Sequence, residues 1–418
     1  MATAHTIFSS FLQAGFECSS HKRRTGNRLD LLKSTQHERF VRQDYERLKP
    51  FGIKTIRTGA RWHLIEDVPG RFDFASLRAI LDPAEATDIE VLLDLLHFGW
   101  PDDVDILSPS FPERFRKFTH AVAGFLRQNR YRCCTAIAPV NEISFLSWGG
   151  GEAAVINPYL ETAAHEIKRN AVRAAIAASD VLLNELPHVR LMSPEPVIHI
   201  VPNTSIERDE IETEAYRLAQ FQAWDMISGR LNPELGGKPA YLDVIGVNFY
   251  DRNEWVHLSD TFLRRNDSRY RPFHLILQEV WHRYQRPIFV AETGAEDDER
   301  ADWFNYICDE VVGAHHAGIP IEGICLYPVL NHPGWVDDRH CCNGLFDYAD
   351  EYGNREAYPP LAEAILTQQP RLLESYNCSN ELNRHRLTMP ISSSLGVRFS
   401  TATASHEPLC PDAQSFFL

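Results

Sequence analysis

The chain has 418 residues, and several things it lacks narrow what it does. No run of ~18 apolar residues exists, so no helix of membrane-spanning length is expected. A Lys/Arg-rich start ahead of an apolar stretch is missing, since Ile7–Phe16 is short and reads as a strand, so no secretory leader is expected. There is no basic stripe. Against a formal net charge of −15, the short His21-Lys22-Arg23-Arg24 reads as a solvated loop. Such a surface repels phosphate backbones and anionic lipid headgroups, so neither a nucleic acid nor a membrane is an expected partner. No C-x-x-C occurs, and the nine cysteines are odd in number and irregularly spaced, with two adjacent pairs, Cys133-Cys134 and Cys341-Cys342. That pattern argues against a disulfide framework and for reduced thiols, hence a cytoplasmic location. Cys341-Cys342 follows Asp337, Asp338 and His340, but no second ligand cluster has zinc spacing. A glycine-rich phosphate turn after the first strand is also absent, which disfavours a doubly wound dinucleotide fold.

What is present is a β/α alternation. Hydrophobic residues make up 44% of the chain, enough for a large core. Strands are expected at Phe11–Glu17, Thr55–Gly59, Glu90–His97, Ala136–Val140, Val189–Ser193, Asp243–Phe249, Pro287–Ala291 and Gly323–Tyr327. Apolar spacings of three and four predict helices over His37–Phe51, Pro112–Asn129, Tyr159–Leu186, Glu214–Leu231, Pro272–Tyr284 and Ala301–Ala317. Such alternation implies parallel strands with right-handed crossovers. Eight units imply an α/β fold, a single (β/α)₈ TIM barrel, with an open sheet as the alternative. Trp148-Gly149-Gly150-Gly151 reads as a loop at the barrel mouth. Residues 1–370 form the expected barrel, and 371–418 an irregular or disordered tail rich in Ser, Thr, Asn and Pro.

Working residues of a parallel barrel sit at the C-terminal ends of its strands. The expected strands end near Arg57, His97, Asn141-Glu142, Asn248-Phe249-Tyr250, Glu292 and Tyr327, with Trp100 and Trp335 just beyond. Each also has a plain structural reading: a helix cap for either Glu, an ion pair for Arg57, packing for the tryptophans. Together they place two carboxylates, aromatic rings, Asn, His and Arg at one mouth. Cleaving a glycosidic bond needs one carboxylic acid to protonate the leaving oxygen and one carboxylate to attack the anomeric carbon or activate water. Aromatic faces cover sugars, and the polar groups bond hydroxyls. An arginine beside the nucleophile keeps it ionised, whereas the acid needs a raised pKa.

At these residues the sequence resembles glycoside hydrolase family 1, the β-glucosidases, over roughly residues 11–365. Ile56-Arg57-Thr58-Gly59-Ala60-Arg61-Trp62 with Pro69-Gly70 is similar to R-F-S-I-S-W and its trailing P-x-G. Leu95-Leu96-His97-Phe98-Gly99-Trp100-Pro101 resembles T-L-Y-H-W-D-L-P. Ala138-Pro139-Val140-Asn141-Glu142 resembles the T-F-N-E-P acid/base motif. Asp243–Tyr250 resembles D-F-I-G-I-N-Y-Y, and Pro287–Gly294 resembles P-I-Y-I-T-E-N-G, which carries the nucleophile. Gly344-Leu345-Phe346-Asp347-Tyr348 resembles F-G-L-V-Y-V-D.

The resemblance implies a retaining hydrolase of small β-glycosides that uses a covalent glycosyl-enzyme, with Glu292 as nucleophile and Glu142 as acid/base. It implies that Arg57, Asn141 and Tyr250 orient Glu292, and that His97, Trp100, Asn248 and Trp335 form the glycone pocket. Retention implies carboxyl groups about 5–5.5 Å apart. No cofactor and no metal are implied. A transglycosidase using the same intermediate, or a carbohydrate-binding protein without activity, stays open, as does the oligomeric state.

Departures from the pattern are also legible. Ile143 follows Glu142 where the family has proline, and Thr293 takes the place of an asparagine. W-S-L-L-D-N-F-E-W is met by Tyr327-Pro328-Val329-Leu330-Asn331-His332-Pro333-Gly334-Trp335. Gly334 therefore stands where the family glutamate grips outer sugar hydroxyls, and Tyr327 replaces the first tryptophan. The family's strand-one glutamine is met by Glu17 or His21.

Overall fold

The computed structural model describes residues 6–387. Eight parallel strands close into a barrel: β1 (Leu12–Gly15), β2 (Thr55–Gly59), β3 (Glu90–Leu96), β4 (Cys134–Val140), β5 (Arg190–Pro196), β6 (Val244–Asn248), β7 (Ile288–Thr293) and β8 (Ile321–Leu326). They follow one another in sequence order around the ring, and β1 pairs with β8 to shut it. The single-barrel reading holds, and all eight strands lie at the expected places. They were legible because strands covered on both sides read as continuous apolar runs.

Two apolar layers hold the barrel. Inside it, Leu92, Ala136, Ala138, Met192, Val244, Phe289 and Ala291 fill the lumen, and Phe8 closes its lower end. Outside, the strands pack on helices that include α1 (His37–Leu48), α2 (Ala75–Thr87) and α3 (Phe111–Asn129). Trp62, fully buried, stacks on Phe118 with ring centroids 5.0 Å apart. At the lower rim, Glu90 accepts from Thr55 Oγ1 (2.7 Å), Thr135 Oγ1 (2.6 Å) and the Ser9 amide (2.6 Å), stitching β2, β3 and β4 together.

Four expectations need correction. The glycine run is not a loop. Ile143–Gly151 is a helix, α4, directly after Glu142. Propensity disfavours three glycines in a helix, but tertiary fit demands them: a Cβ on Gly151 would lie 2.5 Å from the Ala164 amide, and one on Gly150 2.9 Å from Pro158 Cδ. The next helix, α5 (Ala164–Glu185), starts five residues later than expected. The expected helix over Glu214–Leu231 is instead α6 (Glu207–Leu218), a 3₁₀ turn at Ala219–Phe221, and α7 (Gln222–Ile227). After α8 (Phe273–Tyr284) and α9 (Glu299–His316) comes α10, a helix over Pro359–Leu387. Residues 371–387 are thus helical rather than irregular. Leu361, Ile365, Leu372 and Tyr376 are buried at helical spacing, and α10 packs along α9 despite Pro370. The remainder of the expected tail, 388–418, lies outside the described residues. Among the described residues no helix is long and apolar enough to cross a membrane.

Candidate active site

Arg57 is the hub. It points from β2 into the barrel, is fully buried, and uses all five N–H groups. Nε donates to Asp94 Oδ1 (3.2 Å), and Nη2 donates to Asp94 Oδ2 (2.7 Å) and Asn141 Oδ1 (2.6 Å). Nη1 donates to Glu292 Oε1 (2.7 Å) and to the Ala291 carbonyl (3.1 Å). One side chain therefore ties the upper ends of β2, β3, β4 and β7.

Glu292 lies in β7 and receives a second bond, from the Tyr250 hydroxyl to Oε2 (2.9 Å). Glu142 follows β4 with φ +46°, a left-handed backbone that a non-glycine residue adopts only at a cost. Its amide donates to the Pro194 carbonyl (2.9 Å), and Asn248 Nδ2 donates to its Oε1 (2.8 Å). The two glutamates differ in environment. Burial, then the charge of Glu292, pushes Glu142 well above the usual carboxylate range. Burial also raises Glu292, but Arg57 opposes it. Both carboxyls are thus raised, Glu142 the further, because a guanidinium bonds Glu292 while Glu142 faces its neighbour's charge.

His97 Nδ1–H donates to Asp94 Oδ2 (2.9 Å), and its Nε2 sits 3.7 Å from Glu17 Oε1. Tyr327 stacks on His97 at 6.0 Å and lies under Arg57 at 5.3 Å. Glu17 accepts from the Ser19 amide (2.7 Å). Trp335 is half-buried and packs on Phe98, His21 and Phe145, with centroids 5.6, 5.1 and 6.2 Å apart. Its loop is held by Arg23, which donates to the carbonyls of Trp335 and Gly334 (both 2.9 Å) and pairs with Asp338. A Cβ at Gly334 would lie 2.3 Å from Asp337 Oδ1, so a side chain there requires Asp337 to swing aside. Trp100 is buried with its carbonyl accepting from Arg28, and among the described residues no hydrogen bond joins it to the Arg57 network. Of the other expected site residues, Arg57, Asn141, Tyr250 and Glu292 form one bonded group, Glu142 joins Asn248, and His97 meets Glu17 and Tyr327.

With this geometry in hand, comparisons place the architecture. The chain has the fold of the family 1 β-glucosidases. It matches the family 1 β-glucosidase from Thermotoga maritima with a TM-score of 0.69 at 15% identity, covering 89% of this chain and 98% of that one. The same enzyme in complex with glucoimidazole gives 0.69 at 14% identity, over 89% and 99%. The AHE enzyme from Alicyclobacillus herbarius gives 0.70 at 16% identity, over 86% and 98%. No protein-family profile and no curated protein matches the chain.

Two residues of this β-glucosidase-like barrel escaped the sequence reading. Asp94 was visible as the single acid in the apolar run Val91-Leu92-Leu93-Asp94-Leu95-Leu96. Glu195 was hidden because Pro194 and Pro196 interrupt the strand pattern, and β5 runs three residues past the expected end. Its carboxylate accepts from the amides of Ile143 (2.7 Å) and Ser144 (2.9 Å), capping α4 where Glu142 begins it. Burial lifts Glu195 to about 7, and its charge in turn raises Glu142.

Proposed function

We propose that the protein is a retaining glycoside hydrolase acting on small β-glycosides. The observation that carries the reading is the unequal pair: Glu292, bonded by Arg57 and Tyr250, and Glu142, raised by burial and by its neighbour's charge, at one barrel mouth. In the first step a Glu292 oxygen attacks the anomeric carbon. The bond to the leaving oxygen breaks, and the Glu142 proton passes to it. In the second, Glu142 takes a proton from water, the hydroxide oxygen bonds the anomeric carbon, and Glu292 is released as a carboxylate.

Asn141, Arg57 and Tyr250 fix Glu292, while His97, Glu17, Asn248 and Tyr327 line the glycone side. Trp335 and its aromatic neighbours roof the pocket and keep bulk water from the intermediate. The likeness to β-glucosidases supports the reaction class. The Gly334 loop supports a glycone held differently from glucose, with Glu17 supplying a carboxylate from β1 instead of the β8 loop.

The test is a panel of 2-fluoro aryl glycosides followed by peptide mass spectrometry. A covalent adduct on the peptide carrying Glu292, absent in Glu292→Gln, is the expected result. Turnover with no adduct and inverted product would overturn the retaining mechanism.

A further inference from the structure

Cys18 follows β1 and is buried beside the Arg57 network, yet the hydrolase reading gives its thiol no task. Its Sγ, a ring nitrogen of His97 and a carboxylate oxygen of Asp94 lie within 4.8 Å of one another. Among the described residues this is the group of three or more His, Cys, Asp and Glu side chains close enough to share an ion. From this cluster we propose a second ligand site, for a borderline-soft divalent cation such as zinc, in the floor of the pocket.

The donor set selects the ion. One sulfur, one imidazole nitrogen and one carboxylate oxygen suit zinc, whereas calcium and magnesium take oxygen ligands. The distances are close to those required. His97 Nδ1 and Asp94 Oδ2 are 2.9 Å apart. Around an ion about 2.0–2.1 Å from nitrogen and oxygen and about 2.3 Å from sulfur, ligand atoms sit ~3.3–3.6 Å apart, so a group already within 4.8 Å closes by no more than ~1.5 Å. Beyond its contact with the His97 ring, the thiol makes only a weak 3.7 Å approach to the Tyr327 hydroxyl. Gly59 makes the room: a Cβ there would lie 2.7 Å from Cys18 Sγ.

Binding is a ligand exchange. The thiol proton leaves to solvent, and the proton between Nδ1 and Oδ2 leaves or moves to Nε2. Arg57 keeps its bonds to Asp94 Oδ1, Asn141 and Glu292, and its 2.7 Å bond from Nη2 to Asp94 Oδ2 is the one shared with the ion. Glu17, 3.7 Å from His97 Nε2, is a further oxygen donor beside the ring. Because His97 also lines the glycone side, ion and sugar exclude one another, so zinc acts as an inhibitor. That last consequence rests on the hydrolase reading, but the site itself does not.

Cobalt(II) is the probe, added to the reduced, metal-stripped full chain. Near one equivalent it gives an intense near-ultraviolet thiolate-to-cobalt band and visible bands of a four-coordinate ion, and zinc displaces both. In Cys18→Ser, folded by circular dichroism, the near-ultraviolet band is lost and affinity falls at least tenfold. No thiolate band in the parent, or an equal band in Cys18→Ser, overturns the site. A cobalt band without turnover of any glycoside sinks the hydrolase reading alone, and turnover without a band sinks the metal site alone.

Discussion

Replacing Asp94 with asparagine keeps the shape of the side chain but removes one of the two charges that neutralise Arg57. Arg57 and Asp94 are both fully buried, so water cannot substitute. Asparagine retains one acceptor but turns a donor toward a guanidinium, and His97 Nδ1 competes for the same oxygen. Breaking a buried pair by removing one partner costs about 3–5 kcal/mol. With an unfolding entropy of ~2.1 cal/mol/K per residue over about 380 described residues, that is a fall in Tm of roughly 4–6 °C. Calorimetry of Asp94→Asn beside Asp102→Asn is the assay. Asp102 pairs with Arg28 and Lys22 but stays largely exposed, so its loss is worth no more than about 1 kcal/mol and ~1 °C. The acid on which β2, β3, β4 and β7 converge must separate from the exposed one. If the two variants melt within 1 °C of each other, the hub is not holding the strands and the reasoning fails.

Glu142→Ala should slow glycosides with poor leaving groups by about 10²–10⁴, leave activated aryl glycosides much less affected, and be rescued by azide with formation of the retained glycosyl azide. Equal slowing for both leaving-group classes would remove Glu142 from the acid role. Glu195→Gln should shift the basic limb of the kcat/KM profile to lower pH, because the charge that holds a proton on Glu142 above about pH 7 is gone. The folded pKa of Glu195 is raised from an ordinary glutamate to about 7. Its contribution is therefore fully present below the unfolded pKa and lost, by ~3 kcal/mol, as pH rises through 7. Denaturant melts of the variant between pH 5 and 8 should lack that decline, and an unchanged slope would contradict it.

Much of this was legible from residues alone, for identifiable reasons. Buried parallel strands read as apolar runs, as Glu90–Leu96 does, and Thr55–Gly59 was read to the residue from its place in the alternation although Ile56 is its one large apolar side chain. The sites at strand ends followed, because a (β/α)₈ barrel fixes where its upper rim lies. What failed were features decided by distant contacts. The three glycines of α4 are in place because a side chain at any of them would press on Ile156, Pro158 or Ala164. Pro370 did not stop α10, since α9 supplies a surface for Leu361, Ile365 and Leu372. Glu195 sat between prolines and left no periodic trace. Trp100 looked like a pocket wall from its place after β3 but is absorbed into the core.

The Arg57 hub carries a consequence for how such a barrel diversifies. With every N–H consumed by groups on strand ends or the peptide bond before Glu292, none is left to sense the loops above. The guanidinium is insulated from the rim. The loop carrying Gly334 can then vary with no retuning of the guanidinium, whereas Glu17, after β1, still reaches Glu292 through its charge. The guanidinium is thus a fixed base under exchangeable loops, so the strand ends can stay in register while the loop residues above them vary.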